Sequence, residues 1–353
     1  MRLPRLAIGL VVLMVAAGCS VGPSGLSADG VASRRIPVEP ADYAAVAWLP
    51  SGWIVVNWRP GSERITALER LWRLRPDGSE FGPVKLVANP ECRRVHYHAP
   101  TTLPDGRLGF LKDCDSFQVN ERSAFWLIGS EADGSDAMPL MDGPLGYSLS
   151  SFTWNPQITE GLFSIGSGIC SGIARMTRGG VEDFPITVGD GNHRFRVDAD
   201  IRDPSDSDCW NEGQAGSPIW SPDGSRIAFL ASPLAVGVEG FNRAYLPWNL
   251  YLMDAEGSQA RAALSDISSA GGIAWRPQGD WIALIGDPPG YGDGLWLYSL
   301  GQGTLRRVTD DPPIGFAWSS DGTEIVGIHV VEQGVAELRS ELLVWDVQDL
   351  LRR

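Results

Sequence analysis

The densest cluster of potentially ion-binding side chains lies in the segment 189–217. Its six aspartates are Asp190, Asp198, Asp200, Asp203, Asp206 and Asp208. Carboxylate oxygens are preferred ligands of Ca²⁺, but the spacing does not fit a D-x-D-x-D-G calcium loop. Three arginines in the segment neutralise part of the acidic charge. We predict that His193, Asp198 and Asp200 belong to a binding surface without a cofactor, and we keep a Ca²⁺ site as the alternative.

Four aromatic residues lie in or beside long irregular segments of the chain. They are Trp58, Trp210, Tyr245 and Trp248. Aromatic rings on a rigid surface suit the recognition of proteins or sugars, so we predict that these four contribute to binding. The alternative is that they pack beneath the loops as additional core. His96 and His98, at alternate positions of a strand, are weaker candidates for metal binding.

Recognisable catalytic motifs are missing from the sequence. It contains no G-x-S-x-G nucleophile turn and no G-x-x-x-x-G-K-[ST] phosphate loop. Acidic pairs that hydrolyse glycosides cannot be found by spacing, because the fold sets their separation. Two alternatives to a protein-binding module therefore stay open. One is an enzyme with a site at the mouth of a channel, such as a metal-dependent lactonase or a glycan-processing propeller. The other is a protein that binds a sugar or another small molecule.

Composition indicates which elements position these side chains. The 353 residues include 42 glycines and 25 prolines, and 43% are apolar. This combination favours an all-β protein with many tight turns over a helical bundle or a disordered chain. The net charge of −14 excludes a nucleic-acid partner, because such binding needs clustered positive charge.

The N-terminus is predicted to direct the chain to the cell envelope. Arg2 and Arg5 precede a run of 12 apolar residues, which is too short to span a bilayer comfortably. The following segment, Val15 to Cys19, resembles the lipobox of bacterial lipoproteins. The resemblance implies that 1–18 is a signal peptide, that Cys19 carries lipid and that 19–32 is a flexible tether. An ordinary secretory peptide cut nearby is the alternative.

Four further cysteines are available for disulfides: Cys92, Cys114, Cys170 and Cys209. An even number of cysteines in an exported chain indicates disulfide bonds, with three possible pairings. We favour Cys92–Cys114 and Cys170–Cys209, because each pair would join neighbouring long loops. A zinc site is the alternative, although the paired C-x-x-C spacing is absent.

An internal repeat organises residues 33–353. Its clearest copy is Trp220–Phe229, in which a short strand, a Pro-Asp-Gly turn and a second strand follow one another. Six copies recur every 43 to 66 residues, and each is followed by a second hairpin. Four antiparallel strands, A to D, repeated at this period predict a six-bladed β-propeller. A β-sandwich with coincidental turns is the alternative.

The sequence W-S-P-D-G-x-x-I-A-F at Trp220–Phe229 resembles the WD40-like (PD40) repeat of TolB-type propellers. The resemblance covers about 300 residues and implies a six-bladed ring. The chain departs from TolB itself, since the sequence places no α/β domain before the propeller. The sixth copy lacks a full strand D after Trp345. We predict that the segment Arg34–Val38 supplies this strand; a short strand at Leu350–Arg352 is the alternative.

In such a blade the A–B and C–D turns lie on one face, and the B–C and D–A connections lie on the other. We call these the short-turn face and the long-loop face. The long segments 57–69, 88–99, 112–123, 189–217 and 230–248 all belong to the long-loop face. Loops on a rigid scaffold commonly carry binding sites. We therefore predict a monomeric, lipid-anchored envelope propeller that binds another envelope protein or a cell-wall component through this face.

Overall fold

The chain forms an all-β, six-bladed propeller of four-stranded antiparallel sheets. The structure is a computed structural model, and it describes residues 31–59, 70–86, 92–116, 124–141, 152–165, 172–177, 179–184, 186, 193–194, 214–232, 234–235, 247–333 and 338–352.

The first three blades follow one N-terminal strand, β1 (Ser33–Arg35). Blade one contains β2 (Asp42–Trp48), β3 (Ile54–Arg59), β4 (Arg70–Leu74) and β5 (Gly82–Pro83). Blade two contains β6 (Cys92–Thr102), β7 (Leu108–Ser116), β8 (Ala124–Ser130) and β9 (Met138–Pro139). Blade three contains β10 (Phe152–Trp154), β11 (Glu160–Ile165), β12 (Gly172–Thr177) and β13 (Gly180–Asp183).

The remaining blades follow a short strand outside the blades, β14 (His193–Arg194). Blade four contains β15 (Gln214–Trp220) and β16 (Arg226–Ser232), then a short additional strand, β17 (Leu234–Ala235), then β18 (Trp248–Asp254) and β19 (Arg261–Ile267). Blade five contains β20 (Ala270–Trp275), β21 (Trp281–Gly286), β22 (Gly294–Ser299) and β23 (Leu305–Thr309). Blade six contains β24 (Gly315–Trp318), β25 (Glu324–Gln333) and β26 (Leu338–Asp346), after which the helix α1 spans Gln348–Arg352.

The turns of the repeat are built by local hydrogen bonds. In the clearest copy, the Asp223 carboxylate accepts the N–H of Ser225 at 3.0 Å and the hydroxyl of Ser221 at 2.6 Å. The Ser221 hydroxyl in turn accepts the N–H of Arg226 at 2.9 Å. Gly224 completes the turn at a φ of +72°, a conformation that costs glycine little. The sequence W-S-x-D-G therefore encodes the reversal between strands A and B.

The core lies between the blades and not within a single sheet. The repeated tryptophans of strand A are buried there: Trp48, Trp154, Trp220, Trp275 and Trp318. One cluster joins blade six to blade one and contains Ile36, Tyr43 and Val344. Side-chain hydrogen bonds also link adjacent strands A, as from the Trp318 indole N–H to the Ala274 carbonyl at 3.2 Å. Five of the 14 tryptophans of the sequence thus serve the packing between blades.

The ring is closed by the N-terminal strand, as the sequence predicts. β1 pairs antiparallel with β26, with Arg34 opposite Val344. Ser340 then fixes the passage into blade one: its hydroxyl donates to the Ala41 carbonyl at 2.8 Å and accepts the N–H of Tyr43 at 3.2 Å. The alternative of a C-terminal strand is wrong, because residues Gln348–Arg352 form α1. β1 already occupies the edge of blade six that such a strand would need.

Two predicted loop segments are partly strands. β6 begins at Cys92 and β7 continues to Ser116, so both run into the segments 88–99 and 112–123. Within these segments the residues 95–97 of β6 pair with the residues 112–114 of β7. This pairing lengthens the hairpin toward the long-loop face. The alternation that puts His96 and His98 on one side of a strand therefore extends into both predicted loop segments, whose bounds at these ends were wrong.

Candidate functional site

The long-loop face carries an element that the propeller pattern does not require. β14 and β17 form a separate two-stranded sheet, in which His193 lies opposite Ala235 and Arg194 lies opposite Leu234. β14 belongs to the D–A connection before blade four, whereas β17 belongs to the B–C connection within that blade. Backbone pairing therefore joins the predicted segments 189–217 and 230–248.

Two of the predicted aromatic residues are described, and both are half-buried. Trp58 lies near the end of β3, where its ring centroid is 4.7 Å from that of Trp72. It packs against the cluster that joins blades six and one. Trp248 begins β18 and packs against the cluster between blades four and five. These contacts favour the alternative prediction of additional core for both rings, although part of each ring stays accessible.

The structure describes no side-chain contact among the other predicted site residues. Several lie outside the described residues: Cys19, Cys170, Asp198, Asp200, Cys209, Trp210 and Tyr245. Only the backbone of His193 is described. In the described part of the chain, no three His, Cys, Asp or Glu side chains are grouped in a way that could hold a metal ion.

The backbone places Cys92 and Cys114 on paired strands. Cys92 lies opposite Ser116, and Cys114 lies opposite Val95. Both residues are therefore in strands β6 and β7 and not in loops as expected, but they remain at the same end of the same hairpin. The pairing Cys92–Cys114 stays a prediction, which peptide mapping without reduction will test.

A row of charged side chains and one histidine runs across the strands of blade six toward the long-loop face. Arg35 Nε on β1 lies 2.9 Å from Glu341 Oε2 on β26. Glu341 Oε1 lies 3.9 Å from His329 Nδ1 on β25, and His329 Nε2 contacts the Asp311 carboxylate in the connection from blade five. These contacts tie the closing strand to its neighbours. Apart from the presence of His329, no sequence pattern predicts these contacts.

Three of the five large apolar side chains that are exposed in the described part of the chain lie on the long-loop face of blades five and six, whereas Phe81 and Met138 lie at the C–D connections of blades one and two. Tyr291, Ile314 and Val331 are 48%, 49% and 45% exposed. Tyr291 lies in the B–C connection of blade five, Ile314 lies in the D–A connection that follows, and Val331 lies near the end of β25. The sequence analysis missed all three. A sequence pattern could have indicated two of them. An apolar residue follows an Asp-Pro-Pro segment in both connections, two positions later at Tyr291 and directly at Ile314.

Tyr291 is held on a rigid support. Its ring meets that of Trp296 edge-on at a centroid distance of 5.4 Å. The Arg307 guanidinium lies 4.5 Å from the Trp296 ring centroid and donates a hydrogen bond to the Tyr291 carbonyl. A half-exposed aromatic ring whose position is fixed loses little conformational entropy on binding, which is a property of interface hot spots.

Comparison with known proteins shows the fold. No protein-family model matches the sequence, and no curated protein matches it. The structure of a putative TolB from Agrobacterium tumefaciens aligns with a TM-score of 0.52 and 15% identity, over 87% of this chain and 90% of that one. This likeness shows the fold alone: the chain is a six-bladed β-propeller similar to that structure.

Other solved structures share this architecture. An alpha-L-arabinanase from Penicillium chrysogenum aligns with a TM-score of 0.52 and 13% identity, over 90% of this chain and 99% of that one. TolB from Acinetobacter baumannii aligns with a TM-score of 0.49 and 15% identity. This chain spans 64% of the length of that TolB. Because the matched proteins differ in activity, the propeller fold alone does not assign a function.

Among the described residues there is no helix of the length and hydropathy needed to cross a membrane.

Proposed function

We propose that the protein is a lipid-anchored component of the bacterial cell envelope that binds another envelope protein or a cell-wall component through its long-loop face. The observation that supports this is the set of exposed apolar side chains Tyr291, Ile314 and Val331 on one face of two neighbouring blades. Exposed apolar residues that share a face are typical of interaction sites, and a fixed aromatic ring is a suitable anchor.

The additional two-stranded sheet of β14 and β17 is a second observation that favours the long-loop face as the binding face. It lies on connections of blades three and four, so structured elements occupy the long-loop face on more than one side of the ring. The short-turn face differs, because its connections are tight turns with few atoms to offer a partner. We propose that His193, Asp198, Asp200 and Trp210 contribute polar and aromatic contacts to the same surface, with Trp58, Tyr245 and Trp248 at its border.

Site-specific photo-crosslinking in intact cells will test this face. A photoreactive phenylalanine at Tyr291 or Ile314 is expected to give the same covalent adduct, identifiable by mass spectrometry. The matched control is the same amino acid at Phe81, which is 39% exposed but lies on the C–D connection of blade one. An adduct from position 81 and none from positions 291 and 314 would contradict the proposal.

The membrane anchor has a separate test. The change Cys19→Ser is expected to remove the lipid mass from the mature chain and to move the chain from the membrane fraction to the soluble fraction. A mature N-terminus other than residue 19 in the unchanged protein would overturn the lipoprotein assignment without affecting the binding face.

Metal analysis of the purified chain tests the proposed lack of a cofactor. We expect no stoichiometric metal. Bound calcium at a ratio near one per chain, lost in the pair of changes Asp198→Asn and Asp200→Asn, would instead support the alternative of a calcium site in the segment 189–217.

A further inference from the structure

A cavity of about 560 Å³ lies in the groove between blades one and two. Its walls come from the end of strand D of blade one, from all four strands of blade two and from the C–D turn of that blade. The cavity is thus separate from the exposed apolar residues of blades five and six. Its volume falls within the range of small-molecule binding sites.

The inner wall of this cavity, which we call the interblade pocket, is apolar and rigid. Phe110 and Ile128 are buried side chains of strands B and C. The ring of Tyr97 on strand A meets that of Phe110 edge-on at 5.8 Å. The Asn57 side-chain amide of blade one donates a hydrogen bond to the Tyr97 carbonyl at 2.7 Å. Because neighbouring strands fix these rings, the apolar wall is formed before any ligand arrives.

The same pocket contains both lysines of the chain. All other basic residues are arginines, yet Lys85 and Lys112 both line this one cavity. Lys112 is half-buried on β7, whereas Lys85 is exposed at the end of blade one. Lys85 forms no ion pair with any residue that the structure describes. In a chain with a net charge of −14, a lysine ammonium beside an apolar wall is a local exception to the surface charge.

The acidic residues of the pocket lie on its outer rim. Asp133 and Asp136 belong to the C–D turn of blade two and are exposed. The Asp133 carboxylate accepts the N–H of Ser135 at 2.9 Å, and hydrogen bonding to Ser135 holds the pKa of Asp133 below its ordinary value. Asp133 is therefore ionised and engaged within its own turn.

The rim also fixes the position of Lys85. The N–H of Lys85 donates to the Asp133 carbonyl at 2.9 Å. Gly134 faces the Lys85 carbonyl so closely that a Cβ there would lie 2.5 Å from its oxygen. The backbone of Lys85 is consequently attached to blade two, and its exposed side chain supplies a cation at the mouth of a preformed pocket.

We infer that the interblade pocket binds a small amphipathic organic anion, namely a carboxylate with an aromatic body. The ring packs against Tyr97, Phe110 and Ile128, and the carboxylate pairs with the ammonium group of Lys85 at the mouth of the pocket. A charge-assisted hydrogen bond beside an apolar wall is stronger than one in open water, and the apolar contact supplies the remaining affinity. This site goes beyond the proposed function of the long-loop face and does not depend on it.

Three probes of the same shape and different charge will test the inference. Fluorescence titration should show saturable binding of 2-naphthoate, at least tenfold weaker binding of the neutral 2-naphthamide, and no measurable binding of the cationic 2-naphthylmethylammonium. Equal affinity for the acid and the amide would overturn the assignment of an anion site. Tighter binding of the cation, or no saturable binding of 2-naphthoate at millimolar concentration, would overturn it too.

Matched variants locate the binding site. Lys85→Gln is expected to weaken 2-naphthoate binding about fivefold or more, and Lys85→Arg should retain it within about threefold. Arg261→Gln removes the same unit of charge from an exposed position on blade four and should leave binding unchanged. Ala137→Phe, at an exposed position of the pocket wall, should abolish binding of all probes without unfolding the chain. Unchanged affinity in both Lys85→Gln and Ala137→Phe would show that the anion binds elsewhere.

Discussion

The turns of the short-turn face close on themselves by local hydrogen bonds, to which contacts between blades are added, as from the Lys85 N–H to the Asp133 carbonyl at 2.9 Å. On the short-turn face, aspartates of successive turns accept the N–H two residues further on, at 2.9 to 3.1 Å: Asp77, Asp105, Asp133, Asp223 and Asp321. On the long-loop face, several of the described contacts join residues far apart in sequence. Examples are His193 with Ala235 and His329 with Asp311.

This difference separates a structural face from a variable one. A turn that satisfies its own hydrogen bonds can be repeated in every blade without reference to its neighbours. A connection that depends on distant partners can differ from blade to blade, because the strands already fix its ends. The exposed apolar residues of blades five and six lie on the second kind of connection, which is where we place binding.

The largest expected effect concerns two glycines that occupy the same kind of turn. Gly134 has a φ of +88° and Gly279 a φ of +90°, but only the first faces a close neighbour, the Lys85 carbonyl. Gly279→Ala should cost about 1–2 kcal/mol, the usual penalty of a left-handed alanine. Gly134→Ala should cost about 3 kcal/mol or more, because overpacking adds to that penalty. Chemical denaturation of both variants measures the difference.

Equal losses in these two glycine variants would show that the short-turn face tolerates contact between blades by local adjustment. Packing between neighbouring blades would then add nothing to the stability of the short-turn face beyond the hydrogen bonds within its turns.

A smaller effect is expected for the turn aspartates. Hydrogen bonds from Ser221 and Ser225 lower the pKa of Asp223 from 3.8 to about 2. Because the folded-state pKa is lowered, its stabilisation is present above pH 4 and is lost as the pH falls from about 4 to about 2. Asp223→Ala should cost about 1 kcal/mol at neutral pH, since solvent screens this exposed group.

Denaturation midpoints at pH 6, 4 and 2.5 will check the sign of this dependence. Asp223→Asn should lose less stability than the parent chain between pH 4 and pH 2.5, since it has no carboxylate to protonate. An identical acid dependence in the parent and in Asp223→Asn would exclude this turn as a source of acid sensitivity.

The smallest effect is expected for an aspartate of the long-loop face. Asp311 contacts His329, but its side chain is 68% exposed. Exposed ion pairs contribute roughly 0–1 kcal/mol, so Asp311→Ala should cost less than Asp223→Ala. A loss above about 2 kcal/mol at neutral pH would indicate that the charged side chains of blade six are essential for ring closure. The long-loop face would then contribute as much to stability as the short-turn face.

Much of the scaffold follows from short sequence patterns. The repeat around Trp220 predicts the turns, the blades and their number, and the similarity of Arg34–Val38 to a strand D predicts the closing strand. The loop boundaries in blade two were less accurate, since Cys92 and Cys114 are in strands. The candidate site was predicted only as a face. Its exposed residues Tyr291, Ile314 and Val331 were not recognised, because exposure depends on which neighbouring blade covers a side chain.

The sequence by itself therefore determined the interactions that close within a few residues. The Asp223 carboxylate accepts the N–H of Ser225 within its own turn, and the six copies of the strand–turn–strand repeat predict six blades. The tertiary structure alone decided what meets across the blades. It brought Lys85 and Lys112 to one apolar groove and joined β14 to β17. The physical reason is that these contacts are set by the packing of whole sheets around the ring, which no local pattern encodes.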